Sequence, residues 1–447
     1  MPMFQPEIET LPRDRLRALQ DERLRAIVAY VYERVPFYRE SFDEAGIRPA
    51  NIRSVDDLTR LPFTRKEHLR DHYPFGLLAV PRERLARVHA SSGTTGKPTV
   101  VSYTKHDLDV FAEVNARSLA AAGGEPGMIL HNAYGYGLFT GGLGLHFGGE
   151  RLGMVVVPVS GGVTERQVTL IRDFQPDMIA STPSYAQTLA GEFEKRGIDP
   201  EEISLRFAIL GAEPWTDTIR EHVERGLGLT AVNIYGLSEV IGPGVSQECT
   251  EERAGSHIWE DHFLAEVVDP ETGEPLPDGT VGELVFTTLT KEAMPVIRYR
   301  TGDLTYLTHE PCSCGRTHVR MGPIRGRTDD MLVIRGLNLY PTQIEEILQG
   351  IPDVVPHYQL VVTRDGALDE VEVKVEVTEA LFREVGQDVL SSEVLEADQR
   401  LRTLRESIQR KIRNTIGLRL NVTLMAPGTV PRSEGGKLRR VLDLRQL

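Results

Sequence analysis

Cysteine is scarce in this chain, with three residues in 447, and that number rules out a framework of disulfide bridges. Cys312 and Cys314 stand too close in sequence to pair easily, so plain thiols or a metal site remain. Long apolar runs are also missing. The longest, such as residues 154–159, fall far short of the roughly 20 residues a membrane helix needs. Positive charge is in deficit, and a formal net charge of -14 argues against a broad nucleic-acid surface. It leaves room for one local basic loop holding an anionic cofactor, since screening confines most charge effects to about 10 Å. The first ten residues lack a basic start and an apolar signal core; the expectation is a cytoplasmic protein that is not secreted. Internal repeats and low-complexity segments are absent.

What is present is an ordinary globular composition, 40% hydrophobic and 26% charged, in a chain long enough for two or three domains. Leu16, Leu19, Leu24, Ile27, Val28 and Val31 recur at helical spacing until Pro36, which predicts an N-terminal helical segment. Short apolar runs at residues 87–90, 128–131, 154–159, 178–181, 207–210 and 231–235 then alternate with helical stretches such as 164–174 and 184–196. That alternation predicts an α/β domain with largely parallel strands and ligand loops at their C-terminal ends. After Pro243 the pattern changes to strands and turns, including residues 266–268 and 283–290, which reads as a β subdomain. A last section from about Gly326 contains a helix over 341–348. Val371, Val373, Val375 and Val377 alternate there with charged residues as in a half-exposed strand. Leu401, Leu404, Ile408, Ile412 and Ile416 form a helix stripe ending at Gly417. The fold expected is α/β over residues 1–326, with a small α+β domain over 327–447.

One stretch, Ser91-Ser92-Gly93-Thr94-Thr95-Gly96-Lys97, crowds hydroxyls, glycines and a lysine between two apolar strands. Glycines let backbone N–H groups approach an anion, hydroxyls add donors and the lysine adds charge, so the stretch reads as a phosphate cradle. It is not a Walker loop, because only Thr94-Thr95 separates the glycines and Pro98 follows Lys97. A Ser/Gly turn is the plainer alternative. Further on, Asn233-Ile234-Tyr235-Gly236-Leu237-Ser238-Glu239 follows an apolar strand; Tyr235 offers a face for a base and Glu239 an oxygen ligand for Mg²⁺. A strand end with a capping Ser and Glu accounts for the same residues equally well. Asp303, after the turn glycine Gly302, could accept two ribose hydroxyls, although Asp is common at turns.

These stretches, in this order, resemble the adenylate-forming superfamily, which joins carboxylic acids to AMP. The flanks Val88-His89-Ala90 and Pro98-Thr99-Val100 are similar to those of the phenylacetate-CoA ligase family. The resemblance covers most of the chain, from the phosphate loop to residue 437. It implies nucleotide contacts from Ser91 to Lys97, from Gly211-Ala212-Glu213-Pro214, and from Asn233, Tyr235, Gly236, Ser238, Asp303 and Arg327. It implies an aryl pocket lined by Tyr134, Tyr136, Phe139, Ala212, Ile234 and Pro243, where ring packing in a core is the alternative for any one ring. It implies a mobile C-terminal lid turning at Asp329, with Arg335, Gly336 and Asn338 approaching CoA and Lys437 as catalytic lysine beside Glu239. The activity implied is ATP- and Mg²⁺-dependent formation of an aryl-acetyl adenylate, with phenylacetate foremost, and its transfer to CoA. Rivals are an enzyme using another aryl acid or a non-CoA acceptor, and a nucleotide-binding regulatory protein. Partners implied are the aryl acid, ATP and CoA, with neither nucleic acid nor membrane; monomer and homodimer both stay open.

Cysteine placement gives a last expectation. Cys249, Cys312 and Cys314 fall in the β region, and the glycine of Cys312-Ser313-Cys314-Gly315 allows a turn tight enough to aim two thiolates at one ion. With His257 they make a Cys₃His set for a structural Zn²⁺, with His262 or His318 as alternative fourth ligands and three buried thiols as the plain alternative.

Overall fold

The structure is a computed structural model that describes residues 2–91, 99–213, 215–328, 332–334, 337–365, 368–386, 390, 394, 397–430 and 440–444. The chain divides into two compact units, Met1–Ile324 and Arg325–Leu447.

The first unit is organised by a nine-stranded sheet. Its order is Leu307–Thr308, Arg320–Met321, Ser256–Ile258, Gly242–Glu248, Thr230–Leu237, Phe207–Gly211, Met178–Ser181, Ile129–Asn132 and Val155–Val157. From Thr230–Leu237 to Val155–Val157 the strands run parallel. Their sequences are short continuous apolar runs because helices cover both faces; every residue of Met178–Ser181 is buried. The covering helices read as amphipathic stripes. In Asp217–Leu227 the buried residues are Ile219, Val223 and Leu227, each contributing about 1.5–3 kcal/mol by burial. Pro183 opens the helix Pro183–Arg196 where its missing N–H costs nothing, Thr182 caps it, and Gly197 closes it at φ 62°.

One expectation needs correction here. The chain after Pro243 does not leave the α/β sheet at once: Gly242–Glu248 turns back antiparallel against Thr230–Leu237, and Ser256–Ile258 and Arg320–Met321 follow it. Gly236 makes this return feasible, since a Cβ there would lie 1.9 Å from the Gly242 carbonyl oxygen. The β-rich remainder is a separate antiparallel ladder of Phe263–Val268, Gly282–Thr288 and Tyr299–Thr305. The N-terminal helical segment is two helices, Arg13–Arg34 and Pro36–Glu44, with Pro36 ending one and occupying the first turn of the next. Gln20 is buried on the first helix, donating to the Glu260 carbonyl at 3.1 Å.

The second unit has its own core under a sheet ordered Asn421–Met425, Leu368–Val377, Val354–Asp365 and Val441–Asp443. Val371, Val373, Val375 and Val377 all face that core, as their alternation predicts. Glu376 departs from the pattern: it is buried, and accepts the Val430 N–H at 2.8 Å. The helix Gln399–Ile416 buries Leu401, Ile408 and Ile412 and ends at Gly417 with φ 80°.

Candidate active site

Gly211 to Glu213 and Asn233 to Glu239 lie at the C-terminal ends of two adjacent parallel strands, Phe207–Gly211 and Thr230–Leu237, whereas the phosphate-loop sequence follows an antiparallel strand and Asp303 lies within one. Ser91 and Thr99 are paired across the ladder of Arg87–Ser91 with Thr99–Tyr103, so the phosphate-loop sequence joins two adjacent strand ends. Ser92 to Lys97 lie outside the described residues, as do Pro214, Asp329, Arg335, Gly336 and Lys437. The strand that leads into the phosphate-loop sequence is tied to the loop that carries Tyr134, Tyr136 and Phe139. The Leu138 carbonyl accepts the Ala90 N–H at 3.0 Å and the His89 Nδ1–H at 2.9 Å. His89 is buried, and desolvation lowers its pKa, so the neutral ring donates from Nδ1.

Strand Thr230–Leu237 delivers the centre of the site. Asn233 and Tyr235, two apart, share one face, and Ile234 points to the other. Tyr235 donates its hydroxyl to Asp303 Oδ2 at 2.6 Å and stacks on Phe286 with centroids 6.4 Å apart. Two residues singled out for base and ribose, 68 positions apart, are thus in contact. Asp303 is buried and its N–H donates to Thr301 Oγ1 at 3.0 Å. Asn233 Oδ1 accepts the Trp215 indole N–H at 2.8 Å, which fixes the start of the following helix against the strand. Gly211 abuts this strand so closely that a Cβ would lie 2.1 Å from the Ile234 carbonyl. The next residue, Ala212, holds φ 74°, a conformation disfavoured for a residue with a Cβ and concentrated at functional sites. Glu213 accepts the Ser184 N–H at 2.6 Å and so fastens this loop to the neighbouring helix.

Glu239 lies in the turn after the strand, 7% exposed. Tyr299 donates to its Oε1 at 3.3 Å, and Lys291 donates to its backbone carbonyl at 3.0 Å. Burial pushes the Lys291 ammonium down to about 8, against the opposing pull of Asp107 and Glu239. Ser238 meets Thr140 hydroxyl to hydroxyl at 3.2 Å, which links this turn to the loop that carries Tyr134, Tyr136 and Phe139.

Of the aryl-pocket candidates, Tyr134 and Ile234 are buried in one cluster, and Tyr134 lies over Gly141. Pro243 packs against Gly144, where a Cβ would approach it to 2.5 Å. Tyr136 is half-buried; its hydroxyl accepts from Asn132 at 2.8 Å and meets His146 Nδ1 at 3.2 Å. Phe139 is 45% exposed and Ala212 is exposed, so neither is part of a packed wall. Asn132, Thr140, His146, Tyr299 and Lys291 were not predicted. A lysine alone in the mostly apolar stretch 289–297 was the one signal in the sequence that pointed to such a role.

In the second unit, Arg327 is half-buried on the strand Gly326–Arg327, and Asn338 lies on the strand Leu337–Leu339.

The cysteines form a separate cluster. Cys249, His257, Cys312 and Cys314 are all buried, with one ligand atom from each within 4.8 Å of the others. Cys249 Sγ and Cys312 Sγ are 3.6 Å apart, and Cys314 Sγ lies 3.3 Å from His257 Nε2. His257 Nδ1 faces the His318 carbonyl at 3.2 Å, which leaves Nε2 aimed at the sulfurs. Hydrogen bonds from Cys314 and His257 pull the Cys249 thiol pKa down. The alternative ligands are engaged elsewhere. His318 bonds to Ile258 and Ile8 carbonyls, and His262 meets Thr290, Glu113 and Asp261. The grouping of Glu113, Asp261 and His262 is neutralised from within by Arg117, which reaches Asp261 at 2.7 Å and Glu113 at 2.7 Å.

Two family models match the chain: AMP-binding enzyme over residues 10–289, and AMP-binding enzyme C-terminal domain over residues 336–445. A phenylacetate-coenzyme A ligase from Thermus thermophilus is 73% identical, covering 99% of this chain and all of its own length. One from Escherichia coli is 53% identical, covering 98% of this chain and 97% of its own. The crystal structure of 2-hydroxyisobutyryl-CoA ligase in the postadenylation state with 2-HIB-AMP superposes with a TM-score of 0.87 at 30% identity, over 98% of this chain and 91% of its own. On full-length identity and on both family regions in order, the chain belongs to the phenylacetate-CoA ligase family of adenylate-forming enzymes.

Proposed function

We infer that the chain is an ATP-dependent ligase that activates phenylacetate as its acyl adenylate and transfers the acyl group to CoA, with release of AMP and pyrophosphate. The observation that carries the site assignment is the bond of Tyr235 to Asp303 at the exit of the strand whose following turn holds Glu239. In the first half-reaction a carboxylate oxygen attacks the α-phosphorus of ATP and pyrophosphate departs. In the second the CoA thiol attacks the adenylate carbonyl, loses its proton and expels AMP. Phosphoryl transfer of this kind asks the protein mainly for positioning and charge neutralisation. Ser91 to Lys97 are assigned to the phosphates, Gly211 to Pro214 and Tyr235 to the base, and Asp303 with Arg327 to the ribose. Lys437 is assigned to the forming acyl phosphate, and Arg335, Gly336 and Asn338 to CoA. Tyr134, Tyr136, Ile234 and Pro243 are assigned to the aryl ring.

Glu239 supplies the type of oxygen ligand that hard cations take, and magnesium held there would neutralise phosphate charge. The cysteine cluster fits a closed structural zinc site. Sulfurs about 2.3 Å from a tetrahedral ion lie roughly 3.8 Å from one another, and a sulfur and an imidazole nitrogen roughly 3.5 Å apart; the sulfur pair at 3.6 Å and the sulfur–nitrogen pair at 3.3 Å are near these. Among the described residues no helix is long and apolar enough to cross a membrane.

The test is to assay the purified chain with ATP, magnesium and CoA against phenylacetate, hydroxyphenylacetate, indoleacetate and benzoate, following pyrophosphate and thioester separately. Phenylacetate should give the highest kcat/KM with equimolar AMP and thioester. Pyrophosphate without thioester would point to a non-CoA acceptor, and its absence with every acid to a nucleotide-binding protein without turnover.

A further inference from the structure

The turn that carries Glu239 is held by two buried side chains that donate to its backbone carbonyls. Lys291, 2% exposed, donates from Nζ to the Glu239 carbonyl at 3.0 Å. Tyr103, fully buried at the end of Thr99–Tyr103, donates to the Ile241 carbonyl at 2.9 Å. The Lys291 ammonium lies 5.3 Å from the centre of the Tyr103 ring, so the two donors also support each other. Asp107, buried in the first turn of the helix Lys105–Ala121, accepts the N–H groups of Glu292 at 2.6 Å and Ala293 at 2.9 Å. It thereby fixes the backbone just after the lysine.

Packing alone does not account for a lysine here. Taking an ammonium out of water costs several kcal/mol, and a methionine would fill the same space at no such cost. What the ammonium adds is a strong donor to one specific carbonyl, that of the residue whose carboxylate accepts the Tyr299 hydroxyl and is read as the cation's ligand. Partners that hold a metal ligand in place are characteristically of this kind, and their loss weakens the metal without removing a ligand.

We propose that Lys291 and Tyr103 are positioning residues for adenylation, pinning the Glu239–Ile241 turn so that the Glu239 carboxylate meets the cation on the ATP phosphates. The proposal rests on the reading of Glu239 as that cation's ligand. Both side chains are buried and spend their donors on the backbone of the turn, so their loss acts through the position of Glu239.

The experiment is a magnesium titration of pyrophosphate release by the full-length chain at saturating ATP and phenylacetate, paired with Mn²⁺ binding to the ATP-loaded chain followed by electron paramagnetic resonance, in which the same variants should weaken binding in parallel. It compares the parent with Lys291→Met, Lys291→Arg, Tyr103→Phe and Glu239→Gln, each checked for fold by its melting transition. Lys291→Met and Tyr103→Phe should raise the half-activating magnesium concentration by about 10-fold or more. Lys291→Arg should recover much of that loss, and the KM for phenylacetate should stay within about twofold throughout. If Glu239→Gln raises the magnesium requirement while folded Lys291→Met and Tyr103→Phe do not, Glu239 binds the cation and the positioning proposal is wrong. An unchanged requirement in Glu239→Gln removes the metal-ligand reading, and the proposal falls with it. Should Lys291→Met not fold, Tyr103→Phe decides alone. Uniform loss in every kinetic parameter would mean packing damage and would likewise overturn it.

Discussion

Tyr235 donates its hydroxyl to Asp303 Oδ2 at 2.6 Å, from the exit of a central parallel strand to the strand Tyr299–Thr305 of a separate antiparallel ladder. The bond orients the carboxylate assigned to the ribose while leaving the tyrosine ring, stacked on Phe286, as a face for the base. Tyr235→Phe keeps the ring and removes the orienting donor. A hydrogen bond to a charged group is worth about 1.5–3 kcal/mol, so the KM for ATP should rise roughly 10-fold while kcat changes by less than about threefold. Varying ATP at saturating phenylacetate and CoA measures it. A variant with the parent KM would show that Asp303 needs no help from Tyr235.

The cysteine cluster gives an outcome independent of catalysis. Protein purified without added metal should carry about one zinc per chain, as one four-ligand set requires. Cys312→Ser should lose that zinc and melt at a lower temperature, while ATP binding in the presence of magnesium is retained. His262→Asn should keep the zinc, since His262 meets Glu113 and Asp261 and not the sulfurs. Full stability in a zinc-free parent protein would dismiss the site.

Local pattern made most of the fold legible, because the parallel strands are short apolar runs and their helices apolar stripes. Thr164–Phe174 and Met178–Ser181 have the boundaries their sequences suggest. The antiparallel return of Gly242–Glu248 was not legible, since it depends on backbone contact at Gly236 that no periodicity encodes. The same division holds for the site. Motif chemistry pointed to Tyr235, Asp303 and Glu239, and the cysteine placement to a grouping with His257, whose alternatives His262 and His318 the fold engages elsewhere. Lys291, Tyr103 and Tyr299 came from elements remote in sequence, and their roles follow from which carbonyl or carboxylate they reach.

A buried ionic network sets an acid limit on stability. Burial alone would raise the Glu113 carboxyl, but the hydrogen bond with His262 and the Arg117 charge outweigh it and hold the group at about 2, against an ordinary 4.5. A carboxylate depressed in the folded state contributes stability that is fully present above the unfolded pKa and is lost as pH falls through the folded one. The contribution should therefore fade between pH 4.5 and about 2. Glu113→Gln removes the titrating group, so its stability should fall less steeply than the parent's across that interval. Denaturant midpoints measured through the interval test this, and parallel slopes would assign the acid limit to other carboxylates.

The N-terminal segment is anchored on the turn that carries the cysteines. Arg316 Nε meets Glu9 Oε2 at 2.7 Å with both side chains fully buried, and Arg316 also donates to the Pro2 carbonyl at 3.1 Å. Next to it, Thr317 donates to the Leu11 carbonyl at 2.7 Å. Removing one partner of such a pair leaves the other charge buried and uncompensated, at a cost of about 3–5 kcal/mol. Replacing both partners by apolar residues removes the desolvation cost as well. Arg316→Met should therefore lower stability by that amount, and adding Glu9→Leu should restore a large part of it, so that the double variant is more stable than Arg316→Met. Chemical denaturation of the two variants and the parent measures the difference. A double variant no more stable than Arg316→Met would mean that the arginine acts through its bond to Pro2 and the turn it braces, and not through its charge on Glu9.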